Sequence, residues 1–266
     1  MNLASLLEET YRRYWKGNKD ANGSYRQGQH VVSYFGEDCE VKEIYEKEID
    51  TWMDLLRADG KSNGTINRRV AALSRMLIHS HRMGYIQRVP KIVRAKEPKG
   101  RIAWLQKEEE AEMLAIPMDD WFRDLVVVLL DTGMRLGEAL KLQSKDVDKK
   151  RSVVHLWENK NGESRTVPLT SRALEALKGK KGQVFPVSAS CCQWHWSKLR
   201  KAMNRDGDAD FIIHMLRHTC ASRLVQNGVA ITVVKEFLGH KNINTTMRYA
   251  HISADNLSAA AATLEA

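Results

Sequence analysis

Between Val89 and Arg101 the sequence reads VPKIVRAKEPKGR, and this stretch constrains the chain more than any other. Two prolines, Pro90 and Pro98, deny it a helix or an inner strand. Five Lys or Arg against the single acid Glu97 deny it a place in a core. A chain interrupted this way folds as two bodies, and 266 residues suffice for two cores. Residues 90–101 are expected to form an extended linker, too polar to pack and too basic to be a neutral spacer.

Residues 1–89 read as a four-helix unit. LASLLEETYRRYW opens it, and SYRQGQHVVSYFG ends at a glycine stop. VKEIYEKEIDTWMDLLRADG sets Ile44, Tyr45, Ile49, Trp52, Leu55 and Leu56 near helical spacing. TINRRVAALSRMLIHSHRMG carries Val70, Leu73, Leu77 and Ile78 inward and leaves Arg68, Arg69, Arg75 and Arg82 for other faces.

A second domain is expected over 102–252. WLQKEEEAEMLAI reads as a helix, WFRDLVVVLLDTG as a buried helix stopped by Gly133, and RLGEALKL as a short one. SVVHLW and SRTVPL read as strands around ENKNGE, where Asn161-Gly162 signals a hairpin turn. Helices resume after Pro168. The class is therefore mainly α with a small antiparallel β-sheet, and 253–266 is a helix-prone tail.

Composition narrows the function. No run approaches the ~20 apolar residues of a membrane span, and charges interrupt the N-terminus too early for a secretory signal, so a cytoplasmic protein is expected. Cys39, Cys191, Cys192 and Cys220 suggest no disulfide framework. CCQWH gathers Cys191, Cys192 and His195 without the paired spacing of a zinc site, and no metal is expected. The net charge is +9, and Lys61 to Arg101 holds eleven Lys or Arg against one acid. A one-signed field of that size favours a polyanion, nucleic acid before a membrane surface. Arg68, Arg69, Arg75, Lys91, Arg94 and Lys96 are the expected DNA contacts.

Four polar clusters stand at element boundaries. In TGMRLGEAL, Arg135 and Glu138 lie at i,i+3, which alone reads most simply as a helix-start ion pair. Lys160 sits in NKNGES, where an ordinary turn lysine is the plain reading. In HMLRHTCASRL, His214 and Arg217 share a helical face. In FLGHKNINTTMRYAH, Gly239 is placed as a helix cap exposing His240, and Asn244 is placed to cap a short helix bearing Tyr249. Tyr249 has few apolar neighbours in sequence to bury its ring, so it reads either as a surface residue of no consequence or as a phenol held ready for chemistry. Two guanidiniums, an ammonium, two imidazoles and a phenol, without a carboxylate cluster for Mg²⁺, suit phosphoryl transfer at a phosphodiester.

TGMRLGEAL, NKNGESRTVPL, HMLRHTCASRL, LGH and TTMRYAHIS, in this order from about Ile102 to Ser253, resemble the tyrosine recombinase, or phage integrase, family. TINRRVAALSRMLIHSHRMGYI resembles that family's core-binding domain more weakly. The resemblance implies that Arg135 and Arg217 clamp the scissile phosphate and Lys160 protonates the leaving 5′-oxygen. It implies that His214 assists as acid/base toward the nucleophile, His240 hydrogen-bonds the phosphate, and Tyr249 attacks to form a 3′-phosphotyrosyl link. Glu138 is read as a structural partner. Met215 stands where an aspartate is frequent, outside the catalytic set.

The same resemblance implies a C-shaped clamp on duplex DNA and strand exchange in a homo-tetramer through a Holliday junction, without cofactor. Accessory DNA-bending or excisionase proteins are implied as partners. The tail, with Leu257 and Leu264 at heptad spacing, is expected to pack on a neighbouring protomer or back on its own domain. The helical unit starts almost at Met1, so an arm-binding domain is expected to be absent. Type IB topoisomerase-like relaxation and a silent DNA-binding relative stay open as alternatives.

Overall fold

The computed structural model describes residues 1–98, 100, 102–157 and 164–253, so Lys160, the Asn161-Gly162 turn and the tail from 254 lie outside the described residues. The chain divides into two units, Met1–Gly100 and Arg101–Ala266.

The N-terminal unit is built from α1 (Leu3–Thr10), α2 (Ala21–Phe35), α3 (Glu46–Ala58) and α4 (Asn63–Arg82). A π-helical turn at Tyr11–Trp15 continues α1. The core joins Leu3, Leu6, Val31, Ile49, Trp52, Met53, Ile66, Val70, Leu73, Met76 and Leu77. Each large aliphatic side chain buried here is worth about 1.5–3 kcal/mol. Three expected core positions turn outward instead: Tyr45 is 55% exposed, Leu55 50% and Ile78 46%. Helix α3 starts only at Glu46, with Tyr45 as its cap and the Glu48 carboxylate accepting from the Tyr45 amide at 3.2 Å. Its buried face is Ile49, Trp52, Met53 and Leu56, and Leu55 falls on the far side. In α4 the buried row through Ile66, Val70, Leu73 and Leu77 leaves Ile78 roughly a third of a turn away.

The basic segment after α4 corrects the expectation of an unpacked linker. Its backbone is irregular, yet Pro90 is buried and Ile92 packs against the helical core. The Asn67 side chain reads its main chain much as a paired strand would. Its amide donates to the Ala95 carbonyl at 2.9 Å and to Glu97 Oε1 at 2.7 Å, and its oxygen accepts from the Ala95 amide at 3.0 Å. Asn63 donates to the Lys96 carbonyl at 2.7 Å, and the Lys91 amide donates to Glu46 at 3.2 Å. Charge kept these residues out of the core but not off the surface of α4, because polar main chain can be satisfied by polar side chains.

The C-terminal unit holds α5 (Lys107–Ala115), α6 (Asp120–Thr132), α7 (Leu136–Ala139), α8 (Ser171–Ala176), α9 (Ala189–Ala202), α10 (His214–Gln226), α11 (Ile231–Leu238) and α12 (Ile243–Met247). Strands β1 (Val147–Asp148), β2 (Val153–Leu156) and β3 (Arg165–Pro168) form one antiparallel sheet in that order. The short β1, paired through Val147 and Val154, is a strand the sequence reading lacked. Val154 and Leu156 of β2 and Val167 of β3 turn into the core, as period-two alternation requires.

Helix α6 lies between α8 and α10 with Phe122, Leu125, Val126, Val128, Leu129 and Leu130 buried, so its near-continuous apolar run is accounted for by neighbours on several sides. Buried Glu110 ties α5 to two other helices, accepting from Arg172 of α8 at 2.6 Å and from Arg223 of α10. Met215, on the core side of α10, is 4% exposed and packs as an ordinary core residue.

Asn67→Ala removes three bonds to the strap at once. It is expected to destabilise the protein by about 1–3 kcal/mol in urea melts of the full chain, and to speed tryptic cleavage at Arg94 and Lys96.

Candidate active site

Arg217 organises the site. It projects from the first turns of α10, is 2% exposed, and gives its two terminal nitrogens to main-chain carbonyls: Gly133 at 2.6 Å and Leu238 at 2.7 Å. It thereby joins the C-terminal ends of α6 and α11. Gly133 permits the approach in two ways. Its φ of 59° caps α6 in the left-handed region, and a Cβ there would lie 2.6 Å from Leu238 Cδ2. Burial, and then the Arg135 charge, lower the Arg217 pKa to about 10, so it stays a cation at neutral pH.

Arg135 stands at the start of α7, where Glu138 accepts both its amide and its guanidinium at 2.9 Å. Sequence spacing anticipated that pair but missed its third member. Arg165, at the start of β3, forks onto the same carboxylate at 3.1 and 2.8 Å, and both side chains are under one-tenth exposed. Burial alone would raise the Glu138 pKa. The Arg165 hydrogen bonds and charge, with Arg135, overcome it and hold Glu138 at about 2. Arg165 also explains Gly239, which caps α11 with φ 66° and whose Cβ would meet Arg165 Nη1 at 2.7 Å. The available signal for Arg165 was its strand register, two residues before buried Val167 and on the same face.

His240 follows the Gly239 cap. The expectation that it is exposed is corrected: it is 9% exposed, with Nδ1 2.9 Å from Thr246 Oγ1. Burial first, then Arg217, Arg135 and Arg165, push its pKa down to about 3. His214 opens α10 beside Arg217 with part of its ring at the surface, and its pKa is lowered by burial, then by Arg217, Arg135 and Arg248. Both imidazoles are neutral at neutral pH.

Tyr249 departs most from expectation. Its ring is 3% exposed and sits in an apolar cluster with Ile102, Ala221, Val225, Val234 and Leu238. It belongs to the turn after α12, and the cap of that helix is Asn242, whose Oδ1 accepts from the Asn244 amide at 2.9 Å, rather than Asn244 itself. The Tyr249 hydroxyl lies 2.6 Å from Nδ1 of His218, a residue sequence reasoning passed over although it shares the His214 face one turn on. Burial raises the phenol pKa despite Arg217 and Arg248.

The remaining expected residues fall elsewhere. Arg68 and Arg75 are exposed on one face of α4, lining a cleft of about 340 Å³ with Trp15 and Gln27, and Arg75 lies 5.3 Å from the Tyr14 ring centroid. Arg69 is half-buried on another face, whereas Lys91, Arg94 and Lys96 are exposed along the strap. In CCQWH, His195 is engaged by Asp119 at 2.9 Å and by the Cys191 carbonyl at 2.9 Å. Among the described residues no three His, Cys, Asp or Glu side chains gather as a metal site, and no helix there is long and apolar enough to cross a membrane.

A buried arginine, a second arginine at a helix start and neutral imidazoles make a cationic, partly buried pocket with a phenol seated beside it. Residues 103–256 match the model of the phage integrase family, and the chain belongs to that family. It is 29% identical over 223 residues to tyrosine recombinase XerA of Thermococcus onnurineus, covering 76% of each chain. It is 27% identical to the integrase of Escherichia phage P2, covering 94% of this chain and 75% of that one. In fold it resembles the Tn1549 transposon integrase in complex with transposon right end DNA, at TM-score 0.82 and 20% identity over the whole of both chains. It likewise resembles a lambda integrase dimer bound to a core site, at TM-score 0.78 and 20% identity over 94% of this chain and 95% of that one. The protein is a tyrosine recombinase, an enzyme of site-specific DNA recombination.

Glu138→Gln leaves Arg135 and Arg165 without their shared anion. A carboxylate held at about 2 against an ordinary 4.5 contributes on the order of 3 kcal/mol. That stability is fully present above pH 4.5 and lost as pH falls toward 2. Thermal melts between pH 7 and 3 are expected to show a lower, flatter profile for the variant.

Proposed function

We propose that the chain cleaves and rejoins duplex DNA through a 3′-phosphotyrosyl intermediate on Tyr249. Arg135 and Arg217 bind the scissile phosphate, His240 hydrogen-bonds it, and His214 serves as acid/base. Lys160, between β2 and β3 in sequence, protonates the leaving 5′-oxygen. Glu138 supports Arg135. The observation that carries this reading is the electrostatic one: three guanidiniums, Arg135, Arg165 and Arg217, act on the same imidazole of His240, with Glu138 the acid shared by two of them. Such a pocket favours an anion with charge developing on its nonbridging oxygens.

Double-stranded DNA at specific recombination sites is the proposed substrate, held by phosphate contacts from Arg68, Arg75, Lys91, Arg94 and Lys96, with Arg69 less available. Exchange proceeds in a homo-tetramer through a Holliday junction. The relatives' integrase and recombinase names support this assignment, as do the DNA complexes of the similar structures.

A nicked suicide duplex tests the chemistry, its site recovered by covalent capture from a randomised library. Wild type is expected to give a protein–DNA adduct stable to denaturation, and Tyr249→Phe to give none. Capture that persists in Tyr249→Phe rejects the nucleophile. For the DNA face, Arg68→Ala with Arg75→Ala is expected to weaken binding to all sequences. The salt slope should fall by about one per lost phosphate contact, and an unchanged slope moves the surface elsewhere.

A further inference from the structure

The proposed reading gives Tyr249 a nucleophile's role but leaves unassigned the group its hydroxyl touches. That group is His218, at 2.6 Å through Nδ1. Among the described residues the phenol has no other hydrogen-bond partner, so its O–H donates to Nδ1, and the imidazole carries its own proton on Nε2. The ring is fixed from both sides. His214, one turn earlier on α10, meets it edge to face with centroids 4.9 Å apart, and the Tyr249 ring lies tilted against it at 5.8 Å.

Resting on the assignment of Tyr249 as nucleophile, we propose that His218, rather than His214, is the catalytic residue that takes the phenolic proton during cleavage and returns it during rejoining. In cleavage the phenolic O–H bond breaks and its proton passes to Nδ1. The oxygen's electron pair forms the bond to phosphorus. The bond from phosphorus to the 5′-oxygen then breaks, and that oxygen takes a proton from the general acid, Lys160 on this reading. In rejoining, a 5′-hydroxyl gives its proton back to that acid and attacks phosphorus. The tyrosine oxygen leaves and recovers the proton held on Nδ1. No proton is gained or lost over the cycle.

The surroundings make this base conditional on substrate. The titratable and charged groups around the ring are His214 and Arg217 on its own helix and Arg248 and Tyr249 on the segment after α12. Burial first, then His214, Arg248 and Arg217, hold the imidazole neutral, with its pKa down at about 4, while burial raises that of the phenol. In the free protein the proton therefore stays on Tyr249. A phosphodiester between Arg135 and Arg217 brings a negative charge that offsets these cations and raises the ring's affinity for a proton. The nucleophile is activated when the phosphate arrives and is protected from ionising before then.

The test is single-turnover adduct formation by the full chain on the captured suicide site, compared with the same duplex bearing a 5′-bridging sulfur, a leaving group that needs no proton. His218→Asn keeps an acceptor near the Nδ1 position but cannot take up a proton, and His218→Leu keeps neither. Both are expected to slow cleavage by about 10²-fold or more, and the sulfur substrate should not restore either, whereas it should restore Lys160→Ala. Wild type on the sulfur substrate should lose rate as pH falls between 6.5 and about 4, where a ring of lowered pKa becomes protonated, and His218→Asn should lack that limb. Full rate with an unchanged profile in His218→Asn would reduce His218 to a positioning residue and overturn the proposal, as would rescue of the variant by sulfur. Should a variant fail to fold, a wild-type rate flat across that window overturns it equally. Tyr249→Phe in the same series separates the two readings, since an adduct there sinks the nucleophile itself.

Discussion

Arg217 gives both terminal nitrogens to main-chain carbonyls and none to a carboxylate, and the rest of the C-terminal unit depends on that choice. The two carbonyls satisfy its geometry without cancelling its charge. Glu138, an acid whose charge reaches it, is already taken by Arg165 and Arg135. Three guanidiniums against one carboxylate leave two positive charges in a partly buried site. Such a pocket opposes folding slightly and favours any anion that enters, since an anion there relieves repulsion built in beforehand.

Burial, and after it the same field, sets the state of every imidazole in the site. His240 is held at about 3 and His218 at about 4, with His214 also lowered. Had these rings been charged they would have added to the repulsion and lost their acceptor nitrogens. Kept neutral, each keeps one acceptor nitrogen; His218 presents Nδ1 to the Tyr249 hydroxyl, and His240 Nδ1 lies at hydrogen-bond distance from Thr246 Oγ1. Cationic arginines and neutral histidines are therefore one arrangement, in which burial and then the arginine charges keep the rings neutral.

What the sequence disclosed of this arrangement was the part written locally. Glycine stops placed the ends of α6 and α11, and the i,i+3 spacings of Arg135–Glu138 and His214–Arg217 were readable because one helix carries both members. The misses are contacts between distant segments. Tyr249 looked unburied because its apolar neighbours come from Ile102, from α10 and from α11, none of them near it in sequence. Arg165 reaches Glu138 across 27 residues, and Asn67 reaches the strap across 28. Leu55 and Ile78 failed for a different reason. Helical periodicity gives faces only relative to a starting point, and the buried face is chosen by packing.

Helix α10 shows how tightly these distant contacts are bound together. His214, Arg217, His218, Ala221 and Val225 follow one another at i, i+3, i+4, i+7 and i+11, a single helical face. That face supplies in turn the proposed acid/base imidazole, the proposed clamp, the partner of the phenol, and two walls of the seat that holds the Tyr249 ring. The opposite side carries Met215, Leu216, Thr219 and Cys220 into buried surroundings, with Thr219 accepting from the Leu105 amide at 3.0 Å. The helix is thus enclosed on both sides, and the aspartate position occupied by Met215 lies on the core side, away from the chemistry. A rotation of α10 large enough to relieve one contact would displace Arg217, His218 and the seat of Tyr249 together. Precision in the site comes from that shared helix rather than from any one bond, and it holds Tyr249 in a position its sequence neighbours gave no reason to expect.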